Sequence, residues 1–191
     1  MARLSHHPAL RASVRAMWRS PKLLALLLLS QVGLGCGSHG LTGGIYRGDG
    51  FAFRMEAPGD GWRPLDAAPA ALSYRNDAYQ ATIMVHGRCG LDGDDIPLTA
   101  LTNHLFLDFT DREVKSQDVV PFDGREAMHT VLDAKLDGVP MTYDVWVLKK
   151  DGCVYDLLYL APPGQFEAGR PDFEALVRGF ATVPLEGHSD A

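Results

Sequence analysis

The sequence predicts an α+β domain: an antiparallel sheet that ends in a four-stranded meander and is covered by helices. Three observations support this class. Asp-Gly pairs recur at a constant spacing, the runs around them are strand-forming and apolar on both faces, and two other segments carry an apolar stripe at helical spacing.

The Asp-Gly pairs set the turns of the meander. They stand fourteen residues apart, at Asp123-Gly124, Asp137-Gly138 and Asp151-Gly152. Asp-Gly between strand-forming runs favours a two-residue hairpin turn, because the twist of that turn matches the twist of the flanking strands. We therefore expect four consecutive antiparallel strands.

The last hairpin of this meander has apolar residues on both faces. A turn at residues 151–152 pairs Lys150 with Cys153, Leu148 with Tyr155 and Trp146 with Leu157 on one surface, and Val145 with Leu158 and Tyr143 with Leu160 on the other. A sheet that is apolar on both faces must be covered on both faces. The pattern therefore predicts a layered domain.

Two segments have the stripe of a covering helix. Residues 97–109 begin at Pro97, and residues 171–180 begin at Pro171. Proline is favoured at the first position of a helix, so we place a helix start at each of them. The stripes consist of Leu98, Leu101, Leu105, Phe106 and Phe109 in the first segment, and of Phe173, Leu176, Val177 and Phe180 in the second. Three further strand candidates precede the first helix, at residues 51–55, 71–75 and 79–86.

The first 35 residues have the composition of a secretory signal peptide. Basic residues from Arg11 to Lys22 precede the apolar run 23–29, and small residues follow at Gly33 and Gly35. The run is about a third of the roughly 20 residues that a membrane-spanning helix needs. Translation starting at Met1 and translation starting at Met17 both fit this pattern.

The segment Gly33-Leu34-Gly35-Cys36 resembles the lipobox of bacterial lipoproteins, in which the cysteine is acylated and becomes the new N-terminus. The resemblance implies a lipid anchor at Cys36, a flexible tether over residues 36–48 and a place in the cell envelope on the periplasmic side. Gly37 stands where aspartate resembles an inner-membrane retention signal, which favours the outer membrane. The alternative is an ordinary signal peptide that is cut nearby and leaves Cys36 as a thiol.

The remaining chain is acidic and of single-domain size. Removal of residues 1–35 leaves 156 residues with 13 basic against 24 acidic side chains. This balance argues against nucleic acid as a partner. The length suffices for one domain with a sizeable core, which we place at residues 49–185, followed by a disordered tail at 186–191.

Cys89 and Cys153 form an even pair once Cys36 is assigned to the lipid. An exported protein enters a compartment that permits disulfides, and both residues stand beside turn residues near strand ends. We therefore expect a Cys89–Cys153 bridge; two separately buried thiols are the alternative.

Residues from 50 to 183 resemble the PsbP-like fold. The resemblance rests on Phe53, Pro58 and Trp62 near the start, on Asp123-Gly124-Arg125-Glu126-Ala127 at a hairpin, and on Phe173 with Gly179-Phe180 in the closing helix. Extrinsic photosystem proteins, Ran-binding Mog proteins and many bacterial lipoproteins share this fold. The resemblance implies an antiparallel sheet between helical layers and a role in binding or assembly, and it assigns no functional residue.

The residues that bear chemistry are scattered. No nucleophile elbow, phosphate-binding glycine loop or dinucleotide fingerprint occurs. The one cluster of metal-ligand types is His86, Cys89, Asp92, Asp94 and Asp95, which departs from the calcium-loop pattern, so we expect an acidic loop that caps a helix. His104 and His129 are expected to be structural. Asp144 and Asp156 interrupt apolar strands and need either exposure or a partner.

The function expected from the sequence is therefore noncatalytic. We expect a lipid-anchored module without a cofactor that binds or assembles another component of the cell envelope, with a protein as its partner. Two alternatives stay open: an envelope hydrolase with a dispersed site, and a carrier of a small ligand with a pocket between sheet and helix. Converging titratable groups in a pocket would favour the enzyme, and an apolar pocket would favour the carrier.

The lipobox resemblance leads to a direct test. Mass analysis of the membrane fraction is expected to find an N-terminal peptide that begins at Cys36 and carries acyl chains, which together hold a protein firmly on a membrane. Replacing Cys36 with Ala is expected to release the protein into the soluble fraction. A soluble wild-type product cut at another residue would contradict the anchor.

Overall fold

The structure of the protein, a computed structural model, describes residues 40–66, 69–90 and 96–185. The predicted signal peptide, Cys36 and the predicted tail 186–191 lie outside these ranges. The strands in chain order are β1 (Ile45–Arg47), β2 (Ala52–Arg54), β3 (Arg63–Pro64), β4 (Leu72–Asn76), β5 (Ala81–Cys89), β6 (Thr110–Phe122), β7 (Arg125–Leu136), β8 (Val139–Lys150), β9 (Cys153–Ala161) and β10 (Ala181–Thr182). The described helices are α1 (Leu98–His104) and α2 (Phe166–Gly179).

A seven-stranded antiparallel sheet carries the domain. Its strand order is β3-β4-β5-β9-β8-β7-β6, so the predicted meander β6 to β9 forms one half and the last strand of the meander pairs with β5. Strands β1, β2 and β10 form a separate three-stranded sheet. The α+β class, the antiparallel sheet and the meander are confirmed.

The three Asp-Gly pairs are the turns that the sequence predicts. Asp123, Asp137 and Asp151 have φ values of 47°, 52° and 53°, and the glycine after each also has a positive φ. Both central residues of such a turn are left-handed, which is why Asp and Gly are favoured there. All five cross-strand pairs predicted for the last hairpin are present, from Tyr143 with Leu160 to Lys150 with Cys153.

One face of the large sheet packs on α2 and on the three-stranded sheet. Phe173 of α2 and Phe53 of β2 are fully buried there, and the Phe173 ring stacks on Tyr159 of β9. Gly87 of β5 allows the small sheet to approach, because a Cβ at this position would lie 2.4 Å from the Phe51 ring. The sequence predicts the strand at Phe51 but does not predict that it belongs to a second sheet.

The opposite face packs on α1. Leu101 and Phe106 contact the buried side chains Tyr143, Val145, Val147 and Val154 of β8 and β9. Both faces of the β8–β9 hairpin are therefore covered, as its two-sided apolar pattern requires. The cover does not reach β6, where ten successive residues from Thr110 to Val119 are exposed.

The exposed strand β6 is built for an unpaired edge. It carries charged side chains along its length, two register irregularities against β7 and a proline near its end, Pro121. Charges, bulges and proline are the devices that keep an open edge from pairing with another chain. The same polar composition explains why this strand needs no helical cover.

Both helix predictions require correction at their bounds. Helix α2 begins at Phe166 and not at Pro171, which lies inside it. The earlier start buries Phe166 against Tyr159, whose hydroxyl donates a hydrogen bond of 2.8 Å to the Phe166 carbonyl. Helix α1 ends at His104 and not at residue 109, although Phe106 still contacts Tyr143 through its ring edge.

The predicted tether 36–48 is too long. Residues 45–47 form β1, which pairs with β2, and Tyr46 is buried against Phe51 and Phe53. The glycines at positions 43 and 44 are typical of a flexible linker. Here both have positive φ values and directly precede this strand. The folded domain therefore starts before residue 49.

The predicted disulfide joins Cys89 at the end of β5 to Cys153 at the start of β9. The two residues are direct partners in the sheet, with a Cα–Cα distance of 4.1 Å. The bridge is therefore a covalent link at the end of the β5–β9 pair, whose register is already fixed by the hydrogen bonds of the sheet.

Loss of the bridge is expected to destabilise the domain without changing its fold. Closing a loop of 64 residues in the unfolded chain contributes up to about 4 kcal/mol in the chain-entropy model. The double variant Cys89→Ala/Cys153→Ala, compared with wild type by urea denaturation, is expected to lose free energy of unfolding of this order. Free Cys89 and Cys153 thiols in non-reducing peptide maps of exported wild-type protein would contradict the bridge.

Asp123 joins the first meander turn to the small sheet. Its Oδ2 accepts hydrogen bonds from the Thr182 amide at 2.9 Å, the Thr182 hydroxyl at 2.7 Å and Lys150 Nζ at 3.0 Å. Burial alone would raise the pKa of Asp123, but the hydrogen bonds from Thr182 and Lys150 hold it below its ordinary value. The ionised carboxylate therefore stabilises the folded state.

Replacing Asp123 with Asn is expected to lower the free energy of unfolding at neutral pH by about 1–3 kcal/mol, the contribution of hydrogen bonds to a charged group. Because the folded pKa is lowered, the wild-type advantage is present above the ordinary pKa and is lost as the pH falls through the folded pKa. Denaturation curves of both proteins between pH 7 and pH 3 measure this difference in the free energy of unfolding. Asp137→Asn, at the equivalent position of an exposed turn, is the control and should show little change at any pH.

Candidate functional site

A cavity of about 730 Å³ lies between the large sheet and α1. Its wall is mostly apolar and includes four titratable or charged side chains. The lining residues are Pro69, Ala70, Met84, His86, Arg88, Ile96, Ala100, Leu101, His104, Leu105, Asp156 and Leu158.

The alternation of side chains along β5 and β9 determines which residues form the floor of this cavity. Met84, His86 and Arg88 are every second residue of β5, so their side chains project from the same face of the sheet. In the neighbouring strand β9, Leu158 is the direct partner of Met84 and Asp156 is the direct partner of His86. The floor is therefore apolar at one end and charged at the other.

Helix α1 supplies the roof. Leu101 is buried beneath the helix, while Ala100 and His104 are exposed and border the cavity. The helix begins directly after Pro97, which has an extended backbone. Its Thr102 hydroxyl donates to the Leu98 carbonyl at 2.9 Å, which satisfies a polar group buried under the helix.

Asp156 is the most buried charged group of the cavity, at 1% exposure. Its Oδ2 forms an ion pair with Arg88 Nη1 and lies 4.0 Å from His86 Nδ1. Its Oδ1 is buried and has no hydrogen-bond partner among the described residues. Burial raises the pKa of Asp156, while the Arg88 guanidinium acts in the opposite direction.

His86 and Arg88 complete the polar end. Burial lowers the pKa of His86 below its ordinary value, and the Arg88 charge adds to that effect, while Asp156 opposes it. The imidazole is therefore neutral at neutral pH. Arg88 is ion-paired with Asp156, so the polar end of the cavity presents hydrogen-bonding groups beside an ion pair.

A second charged cluster lies on the other face of the sheet. The buried carboxylate of Asp144 accepts from His129 Nε2 at 2.8 Å and lies 3.2 Å from Arg170 Nε of α2. His129 also stacks on Trp146 with ring centroids 4.3 Å apart. The cluster links α2 to β7 and β8, and none of these three side chains lines the cavity under α1.

The candidate residues named from the sequence therefore do not form one site. Both acids that interrupt the apolar strands, Asp144 and Asp156, are buried and partnered, as that pattern requires. His104 and His86 meet at the cavity, and Cys89 is engaged in the disulfide. Asp92, Asp94 and Asp95 lie outside the described residues.

Arg88 is the member of the site that sequence reasoning missed. The available signal was the alternation of β5, which puts residue 88 on the face of residue 86. Using it required knowing that β5 pairs with β9, a contact between strands separated by α1 and the meander. Within residues 40–66, 69–90 and 96–185, no group of three His, Cys, Asp or Glu side chains is arranged to hold a metal ion. Neither α1 nor α2 is long and apolar enough to cross a membrane.

No family model matches the sequence, and no curated protein matches it either. Comparison of structures does give matches. The chain is similar to LpqN of Mycobacterium tuberculosis, described as involved in cell envelope biogenesis, with 15% identity, a TM-score of 0.52, and coverage of 72% of this chain and 87% of LpqN.

Two other solved structures are similar. One is a protein of Bacteroides thetaiotaomicron, with 12% identity and a TM-score of 0.50 over 72% of this chain; the match spans only 46% of that longer protein. The other is PsbP of the cyanobacterium Synechocystis, with 14% identity and a TM-score of 0.48 over 80% of this chain and 99% of that one. At these identities the LpqN and Bacteroides likenesses concern the fold alone.

Proposed function

We propose that this chain is a noncatalytic protein of the cell envelope that binds a small amphipathic molecule in the cavity between the large sheet and α1. The observation that carries the proposal is the composition of that cavity. Ligand sites are concave and mostly apolar, with a few polar groups that fix orientation. Met84, Leu101 and Leu158 supply the apolar wall, and Asp156 with Arg88 supplies the polar end.

The size of the cavity supports a small molecule as the ligand. A volume of about 730 Å³ is within the range of roughly 300–1,000 Å³ that is typical of small-molecule sites. Among the exposed apolar side chains elsewhere, Val114 and Val119 lie on the charged edge strand β6, and Leu136 and Val139 flank the turn between β7 and β8. The cavity is therefore a better candidate than the open surface for specific binding.

The polar groups favour binding over catalysis. A catalytic histidine is normally oriented by a hydrogen bond from a third group. His86 Nδ1 lies 4.0 Å from Asp156 Oδ2, which is beyond hydrogen-bond length. The carboxylate of Asp156 is instead bonded to Arg88, so the arrangement supplies recognition and charge compensation.

The envelope location rests on two supports. The signal-like segment 1–35 and the lipobox resemblance at Cys36 suit a protein anchored on the periplasmic side, with the outer membrane favoured by Gly37. The similar protein LpqN is described as involved in cell envelope biogenesis. A carrier held at the membrane surface would keep a poorly soluble ligand close to its source.

Blocking the cavity is expected to abolish binding of an apolar probe. N-phenyl-1-naphthylamine, an uncharged dye that fluoresces in apolar surroundings, is expected to bind the wild-type protein saturably at one site. Ala100→Trp introduces a large ring from an exposed lining position and is expected to weaken this binding at least about tenfold, since a filled cavity offers no burial to the dye. Fluorescence titration measures both.

The matched control is Thr99→Trp, an equally exposed position of α1 that does not line the cavity. This variant is expected to bind the dye like the wild type. Absence of saturable binding, or equal binding by Ala100→Trp and wild type, would overturn the proposed function. Far-ultraviolet circular dichroism of both variants verifies that the fold is retained.

A further inference from the structure

A second cavity, of about 1010 Å³, adjoins the cavity under α1. It lies on the side of the small sheet, since Tyr46 of β1 and Phe51, directly before β2, are part of its wall. Much of this wall is apolar and accessible: Leu65 is 37% exposed, and Leu41 and Ala71 are half-buried. A bound molecule can therefore bury hydrocarbon against it.

The two cavities meet at an open edge of the large sheet. Pro69, Ala70 and His86 line both of them. The pairing of β5 with β4 ends at Val85, whereas β5 continues to residue 89 with β9 as its only partner among the described strands. No described strand therefore closes the sheet between His86 and residues 69–70. A bound molecule can pass around this edge from one cavity to the other.

His86 is the polar group that both cavities share. Its side chain is 29% exposed, so a bound molecule can reach it, and an imidazole can donate or accept a hydrogen bond through its ring nitrogens. The ion pair of Arg88 and Asp156 lies beside it. Away from this junction the wall is mostly apolar in both directions, with Leu158 under α1 and Leu65 in the second cavity. The order along the combined site is apolar, polar, apolar.

A molecule that matches this order has two hydrocarbon chains joined at a polar centre. An amphiphile with one chain and a terminal polar group covers only one of the two apolar walls and leaves the other in water, which is unfavourable. One longer chain threaded through both cavities would place methylene groups against the polar junction and leave His86 without a ligand partner.

We propose that the ligand is a lipid with two hydrocarbon chains, that one chain lies under α1 and the other in the second cavity, and that His86 forms a hydrogen bond with the polar centre between them. The inference rests on the proposed function, since it names the ligand class of a site that includes the cavity under α1.

Two uncharged glycerides with equal numbers of acyl carbons test the requirement for two chains. 1,2-Dihexanoylglycerol has two chains of six carbons, and 1-monododecanoylglycerol has one chain of twelve. Displacement of N-phenyl-1-naphthylamine from the wild-type protein is expected to show the diglyceride binding about tenfold or more tighter. The reason is that the diglyceride reaches both apolar walls, and each buried methylene group increases the affinity several-fold.

A phospholipid with the same two chains distinguishes the source of the ligand. 1,2-Dihexanoyl-phosphatidylcholine is measured in the same displacement assay, below its micelle concentration. Tighter binding than the diglyceride identifies a phospholipid, and weaker binding identifies a neutral glyceride. A phospholipid and a diglyceride that both bind no more tightly than the monoglyceride would contradict the two-chain class.

The variant Ala57→Trp tests the second cavity. Ala57 is exposed and lines the second cavity but not the cavity under α1. A large ring at this position is expected to remove the preference for the diglyceride over the monoglyceride, because one acyl chain loses its site. Ala78→Trp, at an exposed position that lines neither cavity, is the matched control and should keep the wild-type preference.

The variant His86→Leu tests the contact with the polar centre. Loss of one hydrogen bond is expected to weaken the binding of 1,2-dihexanoylglycerol about fivefold to tenfold. His86→Gln keeps a donor and an acceptor in the side chain and is expected to bind more tightly than His86→Leu. Wild-type affinity in a folded His86→Leu variant would overturn the assignment of His86.

The outcomes separate this inference from the proposed function. Saturable dye binding with equal affinities for diglyceride and monoglyceride in the wild type overturns the two-chain ligand and leaves the cavity under α1 as a binding site. Absence of dye binding overturns the proposed function itself. An unchanged preference in a folded Ala57→Trp variant overturns the role of the second cavity. If that variant does not fold, the wild-type comparison of the two glycerides still decides.

Discussion

The β8–β9 hairpin is apolar on both of its faces, and this constraint determines the rest of the architecture. Val145 and Leu157 are fully buried on opposite sides of the same two strands. Because full burial of one such side chain contributes about 1.5–3 kcal/mol, neither side can be left in water. The chain meets the requirement with α2 and a small sheet on one side and with a short helix on the other.

The two covers differ in how completely they do this. The α2 side is filled by large aromatic rings, including Phe53, Tyr159, Phe173 and Phe180. On the other side α1 is only seven residues long and leaves the part of the sheet near β5 partly open. The cavity is therefore a consequence of a sheet that is wider than the helix that covers it. A site at this place requires no specialised loop, since strand alternation alone places Asp156 and Arg88 on its floor.

The local features of the fold were predictable, and the long-range ones were not. The turns at Asp123, Asp137 and Asp151 follow from the turn preference of Asp-Gly pairs, and the register of the β7–β8 and β8–β9 pairs follows from the turns by counting. The start of α2 could not be found in the same way. The proline preference points to Pro171, but the burial of Phe166 on Tyr159 extends the helix upstream, and tertiary packing outweighs the local signal. For the same reason, the glycines at positions 43 and 44 do not indicate that the next residues form β1 and pair with β2.

The candidate site shows the same division. Asp156 was recognisable as an acid that needs a partner, because it interrupts an apolar strand. The identity of that partner, Arg88, depends on the pairing of β5 with β9, which skips α1 and three intervening strands and leaves no periodic pattern in the sequence. Asp144 follows the same course: its partner Arg170 comes from a different helix. A buried carboxylate in a strand thus indicates that a cationic side chain must pair with it, but it does not indicate which segment of the chain supplies that side chain.

The position of the disulfide gives the cavity a dependence on the compartment in which the chain matures. Cys89 is the residue directly after Arg88, and Cys153 lies three positions before Asp156 on the adjacent strand. The covalent link therefore closes the sheet beside the ion pair, at the end of β5 where the ladder with β9 stops. A chain kept in reducing surroundings would hold that corner by main-chain hydrogen bonds alone, so the covalent closure of this end of the cavity depends on oxidation of Cys89 and Cys153.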